Sequence, residues 1–403
     1  LLVSQASISY NDKIMSRKNT TENDSAILHE MIIGSTGYGK ADFTVPSQIT
    51  PASSLNEILA FARHHNASDV HIGALKPVIF RHFGQLKNIT AEILNTEQIS
   101  LLITSALPKD ILDHFEQTGD AEFVYAINGY GRFRIAIMKQ RNGSDLTARV
   151  IPMEIRSFKN TGMPESCANL TKWAQGLVLI TGPAGCGKST TLATLVEMIN
   201  ETRNDHIISI ENPIEIIYTP KQCQITQREI NTHTLSQNNA LHGALREDPD
   251  ILVVSELRDL STLQLAITAA ETGHLVFATM NTVNAIQTVS LVIDSFPAED
   301  QSIIRNMISE SLRGVICQQL IPKKDGTGMV PAYEVLIVTP PVSNLIRKNK
   351  IGQINTAITT SKRSGMVLMD NSIMELVTRG IISKEEACER ASNPTTMVEI
   401  MAH

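Results

Sequence analysis

The chain of 403 residues lacks several things that would place it in a particular class. Its five cysteines, Cys167, Cys186, Cys223, Cys317 and Cys388, are scattered and form no CxxC pair. The odd count and the spacing argue against a disulfide framework or a zinc site and fit a reducing cytoplasm. Long apolar runs are missing too. Stretches such as "GLVLITG" and "GHLVFATM" fall far short of the roughly 20 residues that span a bilayer. The start of the chain has no basic segment followed by a continuous apolar core, so no signal peptide is expected. Nor is there an excess of positive charge: 35 basic against 41 acidic residues leave a net charge of −6. That balance argues against a nucleic-acid coat, and no direct nucleic-acid contact is expected.

What the chain does have is 42% hydrophobic residues, enough for a sizeable core and, at this length, two or three domains. Residues 1–50 are polar and aperiodic and read as a flexible tail. Residues 51–158 read as a mixed α/β domain. In it, "GYGRFRIAIMKQRNG" alternates so that Phe133, Ile135 and Ile137 share one face and Arg132 and Arg134 the other. A Gly/Pro/Ser-bearing connector follows, placed at 159–175. From 176 to 338, "GLVLIT", "HIISIE", "DILVVSE" and "GHLVFATM" alternate with helical patterns, the rhythm of a parallel sheet with crossover helices. Residues 339–403 look helical, with Gly352, Gly365 and Gly380 as punctuation.

Two stretches place Gly, four residues, Gly and Lys in order: "MIIGSTGYGKADF" at 31–43 and "LITGPAGCGKSTT" at 179–191. The second follows a buried-type strand and opens a helical pattern, the context that a phosphate-binding loop requires. The loop runs Gly182, Pro183, Ala184, Gly185, Cys186, Gly187, Lys188, Ser189 and Thr190. Its glycines let backbone N–H groups close around phosphate oxygens, Lys188 can reach the outer phosphates, and the Ser189 hydroxyl can ligate magnesium. The first stretch has Ala41 where that hydroxyl belongs, and Pro46 stops any helix after it. It reads as a disordered Gly-rich segment.

Nucleotide chemistry also needs an acid at the end of a neighbouring strand, to hold magnesium or activate water. Glu256, after Ile251–Val254, meets that need at the edge where parallel sheets bind ligands. Glu211 and Glu215, in "ISIENPIEIIY", could face the same edge. His274 opens a further strand, where a histidine is by itself more often packing than chemistry.

Together these residues resemble the secretion ATPase superfamily, and within it the PilT-like type IV pilus retraction ATPases, over roughly residues 52–396. The resemblance rests on "ASDVHI", "QGLVLITGPAGCGKSTTLA", "ALREDPDILVVSELRDLSTLQLAITAAETGHLVFATMNT", "SNLIRKNK" and "GMVLMD". It implies a hexameric ring of subunits with a PAS-like N-terminal domain and a RecA-like ATPase domain. ATP and Mg2+ would bind between the domains, and hydrolysis would rotate one against the other. It further implies a cytoplasmic motor on an inner-membrane pilus platform protein, peripheral to the membrane, beside a possible paralogous pilus ATPase. Lys188 and Ser189 become the Walker A residues and Glu256 the Walker B glutamate, with Ser189 and Glu256 the metal-side groups. Glu211 and Glu215 form an acidic box, His274 is the first histidine of a His box, and Arg132, Arg134 and Arg149 approach the phosphates.

The chain departs from that family's pattern at Asn212, Asn281, Ser255 and Leu291, where aspartate, histidine, glycine and arginine are usual. These departures imply slow or partner-dependent hydrolysis. Three alternatives stand beside the retraction motor. An assembly or secretion motor would carry a four-cysteine insertion, which these cysteines do not form. A conjugative or type IV secretion ATPase of the DotB/TraJ kind would move protein or DNA. A hydrolysis-poor ring subunit would act as an adaptor to an active paralogue.

Overall fold

The structure, a computed structural model, describes residues 37–39, 44–395 and 397–398. The chain is mixed α/β and divides into two compact units, one comprising residues up to 80 with 87–150, the other 81–86 and everything from 151.

The first unit, together with residues 81–86, carries a seven-stranded sheet in the order β1-β5-β6-β7-β2-β3-β4. Its strands are β1 Gly37–Gly39, β2 Asp69–Gly73, β3 Ile79–His82, β4 Gln85–Asn88, β5 Asp120–Ile127, β6 Gly131–Gln140 and β7 Gly143–Val150. The alternation in β6 is the one read from sequence: Phe133, Ile135 and Ile137 are buried, while the residues between them are not. Opposite Phe133 lie Tyr125 on β5 and Val150 on β7. The helix Leu55–His64 starts where Ser54 and Glu57 cap each other's backbone N–H groups, and Asn95 with Gln98 starts Thr96–Ala106 in the same way. Each pair satisfies two N–H donors that a helix start would otherwise leave open.

Two features of the first 50 residues differ from the expectation of an unstructured tail. Ile49 is buried in the core of the first unit. Gly37–Gly39, inside the stretch that imitates a phosphate loop, pair with Ala126 and Ile127 of β5. The rest of that stretch, Lys40 and Ala41 included, lies outside the described residues.

The second unit carries a sheet in the order β10-β9-β11-β12-β8-β13-β14. The strands are β8 Gly176–Thr181, β9 His206–Glu211, β10 Gln224–Glu229, β11 Ile251–Val254, β12 Leu275–Met280, β13 Leu312–Pro322 and β14 Met329–Ile337. Every neighbouring pair is parallel except the last, where β14 returns antiparallel on β13. Every residue of β8, β11 and β12 is buried, because helices cover both faces of the sheet. The segment 159–175 is not a bare connector: Met163, Cys167 and Leu170 pack into one of the two cores. The other core takes in Val342, Ile346, Ile354, Ile358, Met369 and Ile373, so the C-terminal helices share it with Leu177 and Leu252 of the sheet.

One buried polar side chain joins these parts. Glu334 of β14 is 4% exposed. It accepts the backbone N–H of Ala285 at 2.7 Å and that of Met369 at 3.3 Å. Ala285 and Met369 are the first residues of the helices Ala285–Asp294 and Met369–Thr378. Burial pushes the Glu334 carboxyl pKa up, and the two N–H donors oppose that rise. Among the described residues no helix is long and apolar enough to cross a membrane.

Candidate active site

β8 delivers the chain to the loop Gly182–Gly187, and the 15-residue helix Lys188–Thr202 leaves it. Two of the glycines have steric reasons for being glycine. Gly182 has φ +144, and a Cβ there would sit 2.3 Å from the carbonyl oxygen of Gln318. At Gly187, φ is +94 and a Cβ would lie 2.8 Å from Nε2 of Gln318. Gly182 is closed to other L-residues by both conformation and backbone space, Gly187 chiefly by conformation. Gly187 is also the N-cap of the helix and offers no side-chain acceptor, so the first helical N–H groups are left for another partner. Pro183, Ala184, Gly185 and Ser189 are exposed, Gly187, Lys188 and Thr190 are half-buried, and Cys186 is buried. Burial raises the Cys186 thiol pKa against the pull of the nearby Lys188 ammonium.

The Lys188 ammonium donates to the carbonyls of Gly182 at 2.8 Å and Pro183 at 3.1 Å, and to Oδ1 of Asn281 at 2.8 Å. Asn281 follows the last residue of β12, and its Nδ2 donates to Oε1 of Glu256 at 2.5 Å. The other Glu256 oxygen accepts from Arg258 at 2.8 Å. Gln237 steadies the Glu256 backbone by donating to its carbonyl at 2.9 Å. Because β11, β12 and β8 are adjacent and parallel, their C-terminal ends bring Glu256, Asn281 and the loop to one sheet edge. The result is a continuous polar line, Lys188–Asn281–Glu256–Arg258. Cation, amide, carboxylate and cation alternate along it, so donors and acceptors are matched throughout.

Glu211 closes β9 at the same edge and accepts from Ser209 at 2.7 Å and Gln227 at 2.9 Å. Gln227 also donates to the Ile216 carbonyl and accepts the Tyr218 N–H, which pins the connection containing Glu215 against β10. Tyr218 is buried. Burial, then Glu211 and Glu197, hold its phenol well above the usual pKa.

The geometry does not bring His274 to this edge. It precedes β12, whose first residue Leu275 pairs with Gly176 while its last, Met280, pairs with Thr181. His274 is thus at the opposite end of the strand from the loop, roughly 20 Å away at the usual strand rise. Its Nδ1 lies 3.0 Å from the Ala269 carbonyl. The grouping of His274 with the catalytic carboxylates of its own subunit is therefore corrected: it closes the turn after the helix Leu260–Glu271.

Arg132, Arg134 and Arg149 belong to the first unit. Arg134 and Arg149 stand directly opposite each other on β6 and β7. Like charges in that position repel. Each has its own acid, Glu122 at 2.5 Å for Arg134 and Asp69 at 2.9 Å for Arg149. The Arg132 carbonyl accepts from Arg63 at 2.9 Å, and burial lowers the Arg63 guanidinium pKa to about 10.

Sequence reading missed Gln318, Thr191, Gln237 and Arg258. Arg258 is two residues from Glu256 and could have been found by proximity. The signal for Gln318 is a glutamine in the apolar run "GVICQQL", since a polar side chain inside a buried strand needs a partner.

Comparison with known proteins adds the following. The model of the family described as "Type II/IV secretion system protein" matches residues 47–327. The "Type IV pilus retractation ATPase PilT" of Pseudomonas aeruginosa is 42% identical, over 84% of this chain and 98% of its own length. A "Twitching motility protein" of Neisseria gonorrhoeae is 41% identical, over 82% of this chain and 88% of its own. Among solved structures, the "Pilus Retraction Motor PilT and Bound ADP" superposes with a TM-score of 0.76 at 37% identity, covering 86% of this chain and 99% of that one.

Proposed function

The chain belongs to the Type II/IV secretion system protein family, and from that premise we propose that it is an ATP-hydrolysing motor that drives type IV pilus retraction. The observation that carries this reading is the polar line from Lys188 through Asn281 to Glu256, assembled where β8, β12 and β11 end. A phosphate-binding lysine and a carboxylate converge there beside a loop of backbone N–H donors. The likeness to a retraction motor crystallised with ADP supports the same reading.

In this mechanism the nucleotide's outer phosphates replace Asn281 and the Gly182 and Pro183 carbonyls as partners of Lys188. Gly185 and Gly187 offer backbone N–H groups to the phosphates, and the start of the helix at Lys188 adds its dipole. Ser189 and Glu256 are hard oxygen donors, the kind that holds magnesium together with phosphate oxygens. When bound, the ion neutralises charge on the phosphates. Glu256 exchanges one of its two present partners for the attacking water, orients it and takes up its proton. Glu211, at the neighbouring strand end, adds negative charge to that edge, with Glu215 in the adjoining connection.

Under the same proposal the first unit is a PAS-like domain and the second a RecA-like one, and six subunits form a ring. Arg132, Arg134 and Arg149 supply positive charge from the first unit, and rotation of one unit against the other does the work. The ring acts at the cytoplasmic face of a pilus platform, beside a homologous pilus ATPase. The test is hydrolysis by purified protein. Lys188→Ala should abolish turnover and weaken ATP binding, whereas Lys40→Ala, in the other glycine-rich stretch, should leave both unchanged. Loss of ATP affinity in the Lys40 variant would move the site to the wrong loop and end this reading. Cells lacking the protein should be over-piliated and non-twitching.

A further inference from the structure

Several observations converge on Gln318, which no part of the mechanism above uses. It lies in β13, the strand beside β8, and is 4% exposed. Its Nε2 donates to the carbonyl oxygen of Cys186 at 2.5 Å, and its Oε1 accepts the Thr191 hydroxyl at 2.6 Å. Cβ atoms added at Gly182 and Gly187 would strike its backbone oxygen and its Nε2. One residue of β13 thus packs against three residues of the loop, Gly182, Cys186 and Gly187.

The orientation of the amide is dictated by its partners. A carbonyl oxygen can only accept, so the NH2 group must face Cys186 and the oxygen must face Thr191. The Cys186–Gly187 peptide is trans, as only Asn212–Pro213 is cis among the described residues. In a trans peptide the N–H points opposite to the C=O. Drawing the Cys186 carbonyl toward β13 therefore aims the Gly187 N–H away from β13, out of the rear of the loop. We infer that Gln318 is a positioning residue for phosphate recognition: it holds the Cys186–Gly187 peptide so that the Gly187 N–H already faces the phosphate oxygens of a nucleoside di- or triphosphate. This rests on the nucleotide reading of the loop. Preorientation matters because a peptide that must rotate on binding gives back part of the affinity it supplies.

The experiment titrates fluorescent ADP into the full chain and measures ATP turnover for wild type, Gln318→Met and Thr191→Val. Melting temperature without nucleotide is recorded alongside. Methionine keeps the volume and loses both hydrogen bonds; valine keeps Gln318 but removes the hydroxyl that orients it. Expected are a tenfold or larger loss of ADP affinity in Gln318→Met and a smaller loss in Thr191→Val. In both, the KM for ATP should rise by more than kcat falls. Core filling alone would lower the melting temperature and leave ADP affinity and KM in place, and that result overturns the inference. Should Gln318→Met fail to fold, Thr191→Val decides: unchanged ADP affinity there overturns it equally. A wild-type chain that binds no ADP would instead sink the nucleotide reading, and the inference with it.

Discussion

At the scale of single residues, Asn281 shows how a departure from a family pattern can be absorbed locally. Its amide oxygen accepts from Lys188 and its NH2 group donates to Glu256, so the site uses both ends of the amide. Asn281→Asp keeps the acceptor but turns a second carboxylate on Glu256. Like charges at that distance raise the pKa of at least one of the pair. A base works only when deprotonated, so a shift that falls on Glu256 should move the acid limb of the rate profile to higher pH. A limb that stays where the wild type has it would show that the new aspartate takes up the proton instead or that Glu256 is not the base. Asn281→His should behave differently. Neutral imidazole can serve both neighbours, whereas the protonated ring has no acceptor for Lys188 and adds a cation beside it. Its turnover should match or exceed wild type above neutrality and drop below about pH 6.5, the ordinary histidine pKa. The loop candidates Gly182, Lys188 and Ser189 stand out in the sequence because their spacing is local, and Glu256 because it follows an apolar strand. Gln318, more than a hundred residues from the loop it supports, does not, because only the folded sheet makes them neighbours.

At the scale of elements, legibility followed the patterns of burial. β8, β11 and β12 are apolar apart from Thr181 and Thr279, and β6 alternates cleanly, so all four were readable. β10 was not, because an edge strand with half-buried residues, "QITQRE", has no marked period. β14 hid behind Pro331, which breaks strand patterns and is tolerated here because β14 is also an edge. β6 supplies the prediction at this scale. Phe133 is fully buried, and Arg134 beside it is half-buried and paired with Glu122. Phe133→Ser should destabilise the first unit by about 3 kcal/mol or more, the usual loss on deleting a buried aromatic. Arg134→Ala should lower hydrolysis yet cost less than about 1 kcal/mol, as expected for an ion pair whose carboxylate partner is open to solvent. Urea denaturation of both variants checks this. Equal losses of stability would mean that the two faces of β6 had been misassigned.

For the whole molecule, the proposed function requires copies of the chain to assemble. Purified protein should form hexamers with ADP or a non-hydrolysable ATP analogue. Light scattering that finds monomers under every nucleotide condition would remove the ring, and with it the retraction motor. The buried Glu334 bears on how the second unit can come apart. Its carboxylate receives the first N–H of the helix that follows β12 and the first N–H of a helix near the C-terminal end of the chain. These two segments, some eighty residues apart in sequence, should therefore share one opening event in native-state hydrogen exchange. Peptides covering Ala285 and Met369 should exchange with the same opening free energy, and Glu334→Ala should release both while peptides from β8 remain protected. Separate opening energies in the wild type would show that the carboxylate does not couple them. If the energies coincide, the C-terminal helices are no appendage: they open only in the same step as the helix beginning four residues after Asn281.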